Sequence, residues 1–245
     1  MAESPLFYTR RLQLNASRKT AIIVGVLFII GTLAGVLSVV LTSSILNGPD
    51  LLAAVAANQY QVIIAALLVL TMGLALAMVP VVIFPILKGH NEVLALGYVV
   101  FRGALETLTY FVVVIAWLLL IPLSQESAKA GAADASNFQA LGALLLKAAE
   151  IGASLTAIVF PLGAAMLYAV LVQSKLIPRW LSVWGLIAVA LNFVSTGLAG
   201  VFGLTPQMST IQMAANLPIF LQEMVMAVWL IVKGFNPSAI ARDAE

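Results

Sequence analysis

Tyr98, Arg102, Glu106 and Tyr110 follow one another at four-residue intervals inside a long apolar run. On a helix that spacing stacks side chains into one stripe. A guanidinium, a carboxyl and two phenols in a stripe can pair charges, hold a proton, or bind a small polar ligand. Depth adds partners from elsewhere in the chain. At ~1.5 Å per residue, Arg102 lies ~15 Å past Glu92 and Glu106 ~21 Å past it. On the same scale Glu223 lies ~15 Å before Lys233, and Asn192 ~20 Å after Arg179. Arg102 and Glu223 therefore share a depth, with Asn192 close to it and Gln222 beside Glu223. A charge at the middle of a bilayer costs at least ~2.5–3.5 kcal/mol, so the stripe is expected to face the interior of a bundle.

The expected arrangement has Arg102 neutralising carboxylates at the bundle centre, with Glu106 its neighbour along the helix and Glu223 its partner across the bundle. Two carboxylates against one guanidinium leave an excess negative charge. Burial disfavours that charge, which makes one carboxyl a candidate proton or cation site. The candidate ligand- or ion-binding set is Arg102, Glu106, Glu223, Tyr98, Tyr110, Asn192 and Gln222. The same residues also suit an interhelical ion pair that fixes packing and binds nothing. No catalytic residue and no cofactor is expected.

The elements that position these residues follow from composition. Of 245 residues, 62% are hydrophobic and only 9% charged, and the mean hydropathy is +1.10. Soluble domains carry roughly 25% charged residues, so this chain could not cover a water-facing surface. Crossing a ~30 Å hydrocarbon core takes about 20 apolar helical residues. Runs at 20–42, 61–87, 93–123, 151–173, 181–203 and 214–232 meet that length. They are continuous rather than alternating, which favours helices over barrel strands. The fold class is an all-α, polytopic, six-helix transmembrane bundle over 20–235, with a basic leader at 1–19 and a tail at 236–245.

Basic residues give the orientation. Arg10, Arg11, Arg18, Lys19, Lys88, Lys175, Arg179, Lys233 and Arg242 all fall on one side of the six-span pattern. The other side has Asp50, Glu126, Lys129 and Asp134, and no charge across 204–213. Both termini are thus expected in the cytoplasm. The first run is too long for a cleaved signal core and reads as a retained helix. Residues 5–19 suit either an interfacial helix or a disordered leader. The intervening segments, the longest at 43–60 and 124–137, are too short to fold alone. The net charge of +2 includes no basic block of the kind that binds nucleic acid.

Other candidates carry less chemistry. Lys147 and Glu150 lie ~37–42 Å from Lys175 along their helix, beyond the core, and read as a solvated i, i+3 pair. His90 is the one histidine, and with no cysteine in the chain it cannot build a zinc site. Gly31 and Gly35 form a GxxxG, which signals close helix packing. "ILKGHN" and "IVKGFN" echo one another at the ends of the second and sixth runs. A duplicated helix pair would explain the echo, and so would the usefulness of Lys-Gly at a helix C-terminus.

"RKTAIIVGVLF", "FPILKGHNEVLALGYVVFRGALE", "SKLIPRWLSVWGLIA" and "VWLIVKGF" together resemble the domain-of-unknown-function family 4386, a set of bacterial and archaeal six-helix membrane proteins. The resemblance spans nearly the whole chain, and Asn91, Glu92, Gly97, Tyr98, Arg102 and Glu106 match its pattern. It implies six helices in a prokaryotic cytoplasmic membrane and supplies no activity.

Three functions follow as expectations. The first is a bundle that binds or translocates a small ligand or ion through the polar layer. The second is a non-catalytic scaffold, sensor or partner subunit, in which the layer is packing. The third, a lipid-acting enzyme with a glutamate acid or base, lacks a metal site, a nucleophile–base pair and a cofactor motif. An open crevice lined by Tyr98, Asn192 and Gln222 would favour the first, and a sealed layer the second.

Overall fold

A computed structural model describes residues 5–130, 134–199, 202 and 210–241. Among these there is no strand. The helices are α1 (Pro5–Leu46), α2 (Leu51–Ala57), α3 (Gln59–His90), α4 (Glu92–Tyr98), α5 (Glu106–Lys129), α6 (Ala135–Ser174), α7 (Arg179–Asn192), α8 (Thr210–Val232) and α9 (Pro237–Ala241). Two π-helical stretches, Val99–Leu105 and Phe193–Leu198, continue α4 into α5 and extend α7. Six segments are long and apolar enough to cross a membrane: Leu14–Leu46, Gln59–His90, Glu92–Lys129, Ala135–Ser174, Arg179–Leu198 and Ala214–Val232. Helix is what such sequence must form in lipid, because only internal hydrogen bonds satisfy the backbone there. Large apolar side chains such as Val40, Leu144 and Ile187 are each 65% exposed, as a lipid-facing surface requires.

Helix extends further than hydropathy indicates. The expected loop at 43–60 holds the end of α1 and all of α2, which Asp50 caps by accepting from the Ala53 amide at 3.1 Å. The expected outer loop at 124–137 is mostly helical, with α5 reaching Lys129 and α6 starting at Ala135. Its Ala- and Leu-rich sequence sustains helix well past the hydrocarbon. Most of the 204–213 loop, with the expected end of the fifth span at 203, lies outside the described residues, as do 1–4 and 242–245.

The Lys-Gly echo is one of letters only. Gly234 has φ +74 and ends α8 in the left-handed conformation that glycine adopts freely, its amide donating to the Trp229 and Leu230 carbonyls. Gly89 stays inside α3, and the chain turns at Asn91, whose side chain accepts from the Leu94 amide and caps α4.

The chain divides into two compact units. The first comprises 1–29, 76–105 and 157–245. Its apolar core includes Val24, Phe28, Val79, Ile83, Leu171, Met226 and Leu230. Arg18 donates to the Leu230 and Ile231 carbonyls at 2.9 and 2.5 Å, placing a cation on the C-terminus of α8. The second unit comprises 30–75 and 106–156. Ile45, Leu52, Val55, Val62 and Leu120 form one of its clusters, and Ala66, Val69, Val113, Val114, Ala116 and Ala149 another. The GxxxG region does pack closely: a Cβ on Gly35 would stand 2.6 Å from the Met72 sulfur. The Lys147–Glu150 pair forms at 2.8 Å with both side chains solvated.

Candidate functional site

In the first unit Arg102 sits within the π-helical stretch, on the segment that must reach Glu223 of α8. A π turn closes i→i+5 hydrogen bonds, so it admits an extra residue and re-aims the side chains around it. Gly163 of α6 makes room for that turn, since a Cβ there would meet the Arg102 amide nitrogen at 3.0 Å. Arg102 Nη2 lies 3.4 Å from Glu223 Oε1, the two side chains being 4% and 15% exposed. This is longer than the ~2.7–2.9 Å of a tight charge-assisted bond. The guanidinium also lies over the Phe160 ring, 4.5 Å from its centroid, where the face of the aromatic ring attracts a cation.

Gln222 makes hydrogen bonds of its own. The Tyr168 hydroxyl donates to its Oε1, and its Nε2 donates to the Leu181 carbonyl at 3.0 Å. Tyr168 and Gln222 are both fully buried. Gly185 of α7 allows this, because the Tyr168 ring occupies the space where its Cβ would stand. One glutamine thereby joins α6, α7 and α8.

Asn192 belongs to a third group. Its Nδ2 donates to Asn216 Oδ1 at 2.5 Å, and the Thr196 hydroxyl donates to the same oxygen at 2.9 Å. Thr196 lies in the second π stretch, so both π-helical segments carry a residue of a polar group. Asn192 Oδ1 has no hydrogen-bond partner among the described residues, although the residue is 6% exposed.

In the second unit Glu106 is 1% exposed, and the Tyr110 hydroxyl donates to its Oε1 at 2.6 Å. The Tyr110 ring packs on Gly73 of α3. Thr109 donates to the Glu106 carbonyl or shares a proton with Thr156 of α6 across 2.5 Å, an approach that Gly152 permits. The i, i+4 relation of Glu106 and Tyr110 thus becomes a contact.

Within their units the expected residues make these contacts. Arg102 meets Glu223, Glu106 meets Tyr110, Gln222 serves Tyr168, and Asn192 serves Asn216. Tyr98 is buried, 1% exposed. Residues beyond the expected set are Phe160, Tyr168, Thr196, Asn216 and Thr156. Tyr168 and Asn216 carry a readable signal, as polar side chains within apolar runs. Phe160 carries none. No group of three or more His, Cys, Asp or Glu side chains converges on a common point among the described residues.

Comparison with known proteins is consistent with this picture and adds no chemistry to it. Neither a curated protein nor a solved structure matches the chain. A family does: the profile described as domain of unknown function DUF4386 matches residues 23–234. With nearly all of its membrane-crossing sequence inside that match, the chain belongs to the DUF4386 family.

Proposed function

We propose that this multi-pass membrane protein is a non-catalytic scaffold, sensor or partner subunit, and that its buried polar groups serve helix packing. The observation that carries this reading is burial. Tyr98, Asn192 and Gln222, the side chains an open crevice would expose, are 1%, 6% and 0% exposed. Arg102 has a carboxylate and an aromatic face, and Gln222 is used on both sides of its amide. Polar groups consumed in interhelical bonds specify which helix faces meet. We place both termini in the cytoplasm on the partition of the basic residues, and the chain in a prokaryotic cytoplasmic membrane on its resemblance to the family.

A bundle that binds or translocates a small ligand or ion is the second reading. Two observations favour it: a carboxyl buried as deeply as Glu106, and the unpartnered Oδ1 of Asn192. Intramembrane ionisable groups often mark ion or proton paths.

Accessibility separates the two. Single cysteines at Tyr98, Asn192 and Gln222 would be exposed to a charged, water-soluble thiol reagent in membranes, from each face in turn. The packing reading expects all three to stay unmodified unless the protein is denatured. Rapid modification from either face would put water at the polar groups and establish the binding or translocating reading instead.

A further inference from the structure

We propose that the basic end of the first unit holds a binding site for the phosphate of an anionic phospholipid headgroup. The site is a cavity of about 500 Å³ between the α6–α7 turn and the segment that follows α8. Lys175, Arg179 and Lys233 line it, together with Trp229 and Asn236. The three cations are solvent-exposed, and among the described residues none of them is in an ion pair. Three positive charges around one concavity repel one another and gain from an anion placed between them.

The backbone adds to the charge. α7 begins at this cavity, and its N-cap is Pro178, which makes no side-chain capping bond. The first amides of a helix are natural donors to phosphate, and the dipole favours negative charge there. The frame is already set. The Asn236 amide donates to the Leu176 carbonyl at 2.8 Å, and the Asn236 side chain donates to the Lys175 carbonyl at 3.4 Å.

Lys175 itself is the most pointed observation. It has φ +58, the left-handed region that L side chains adopt at a cost. Glycine is the usual residue at such a helix end, and this chain uses it at Gly234 on the other wall of the same cavity. Lys175 thus brings a cation to the cavity at a position where glycine would carry less strain.

Position identifies the source of the phosphate as lipid. Trp229 lines the cavity, and Trp180 and Trp184 stack 6.3 Å apart on the adjoining turn of α7, Trp180 being 54% exposed. Tryptophan concentrates at the level of the headgroups. Basic pockets between transmembrane helices bind anionic headgroups by the same chemistry.

The test uses the full chain, purified in detergent with phosphatidylglycerol and phosphatidylcholine in equal amounts, and native mass spectrometry of the retained lipid. Wild type should retain phosphatidylglycerol preferentially. A basic residue near an anionic surface gives about a fivefold preference, so Arg179→Gln and Lys233→Gln should each lower it by about that factor. Lys175→Gly should lower it too while raising the melting temperature, a combination that a purely structural lysine would not produce. Lys88→Gln is the control, a cation at the same end whose ammonium lies over Phe84, 5.9 Å from the ring centroid, outside the cavity. It should leave the preference unchanged. If it lowers the preference as much as Arg179→Gln does, the attraction belongs to the whole basic end and the site is refuted. If inorganic phosphate displaces the lipid from wild type, the ligand is a soluble phosphate and the lipid assignment fails. Should Arg179→Gln not fold, Lys233→Gln gives the same reading from an exposed position.

Discussion

The Tyr168 hydroxyl donates to the Gln222 amide oxygen across 54 residues of sequence, with both side chains fully buried. Because the same amide donates to Leu181, Gln222 is the point at which three helices of the first unit are joined by hydrogen bonds. Gln222→Leu keeps the volume but strands the Tyr168 phenol and removes the second bond accepted by the Leu181 carbonyl. Melts in one detergent should show a loss of about 1–2 kcal/mol, moderated because interhelical bonds in membranes are individually weak. Adding Tyr168→Phe should cost less than it does in the wild-type background, since its partner is already gone.

Gly185 makes the same contact testable from the other side. Its missing Cβ is where the Tyr168 ring lies, so Gly185→Ala forces that ring or α7 to move. Overpacking of this kind costs about 1–3 kcal/mol. Tyr168→Leu should recover part of the loss made by Gly185→Ala. A Gly185→Ala protein that melts like wild type would contradict this packing.

How much of this could be read from sequence divides along physical lines. The six spans were legible because a bilayer demands long apolar runs. The Arg102–Glu223 pairing was legible because Glu92 and Lys233 mark the same end of the pattern and fix a common depth. Within the second unit Glu106 meets Tyr110, a contact that the four-residue spacing made legible. The π turn around Arg102 leaves no mark in residue types, although the segment packs closely on Gly163. Gln222 was expected beside Glu223 in the polar layer, but its partner, Tyr168, could not be read from spacing. Hydropathy measures membrane thickness rather than helix length, so it missed the first fifteen or so residues of α6, which are helical by propensity.

Glu106 and Tyr110 form the polar contact of the second unit that a single atom can test. Tyr110→Phe removes the donor and leaves the buried carboxyl one hydrogen bond short, at a cost of about 1–3 kcal/mol. Glu106→Gln retains an acceptor oxygen for Tyr110 and should cost less. If Glu106→Gln costs as much as Tyr110→Phe, the carboxyl is required for more than this bond.

Orientation can be measured directly, because the chain has no cysteine of its own. Cysteines at Glu126, an exposed position at the end of α5, and at Ser238, an exposed position after α8, should report opposite faces. In intact cells an impermeant maleimide should label the Glu126 position and reach the Ser238 position only after lysis. The reverse pattern would overturn the assignment of the basic end to the cytoplasm.

The central claim is that buried charge in this protein holds helices together, and a double-mutant cycle on Arg102 and Glu223 tests it most directly. Removing one member of a buried pair leaves the other uncompensated, at a typical cost of about 3–5 kcal/mol, whereas neutralising both is far less costly. Thermal melts of wild type, Arg102→Ala, Glu223→Gln and the double variant should show the double variant more stable than Arg102→Ala alone. Losses that simply add would show that the two residues do not interact, and would contradict the account.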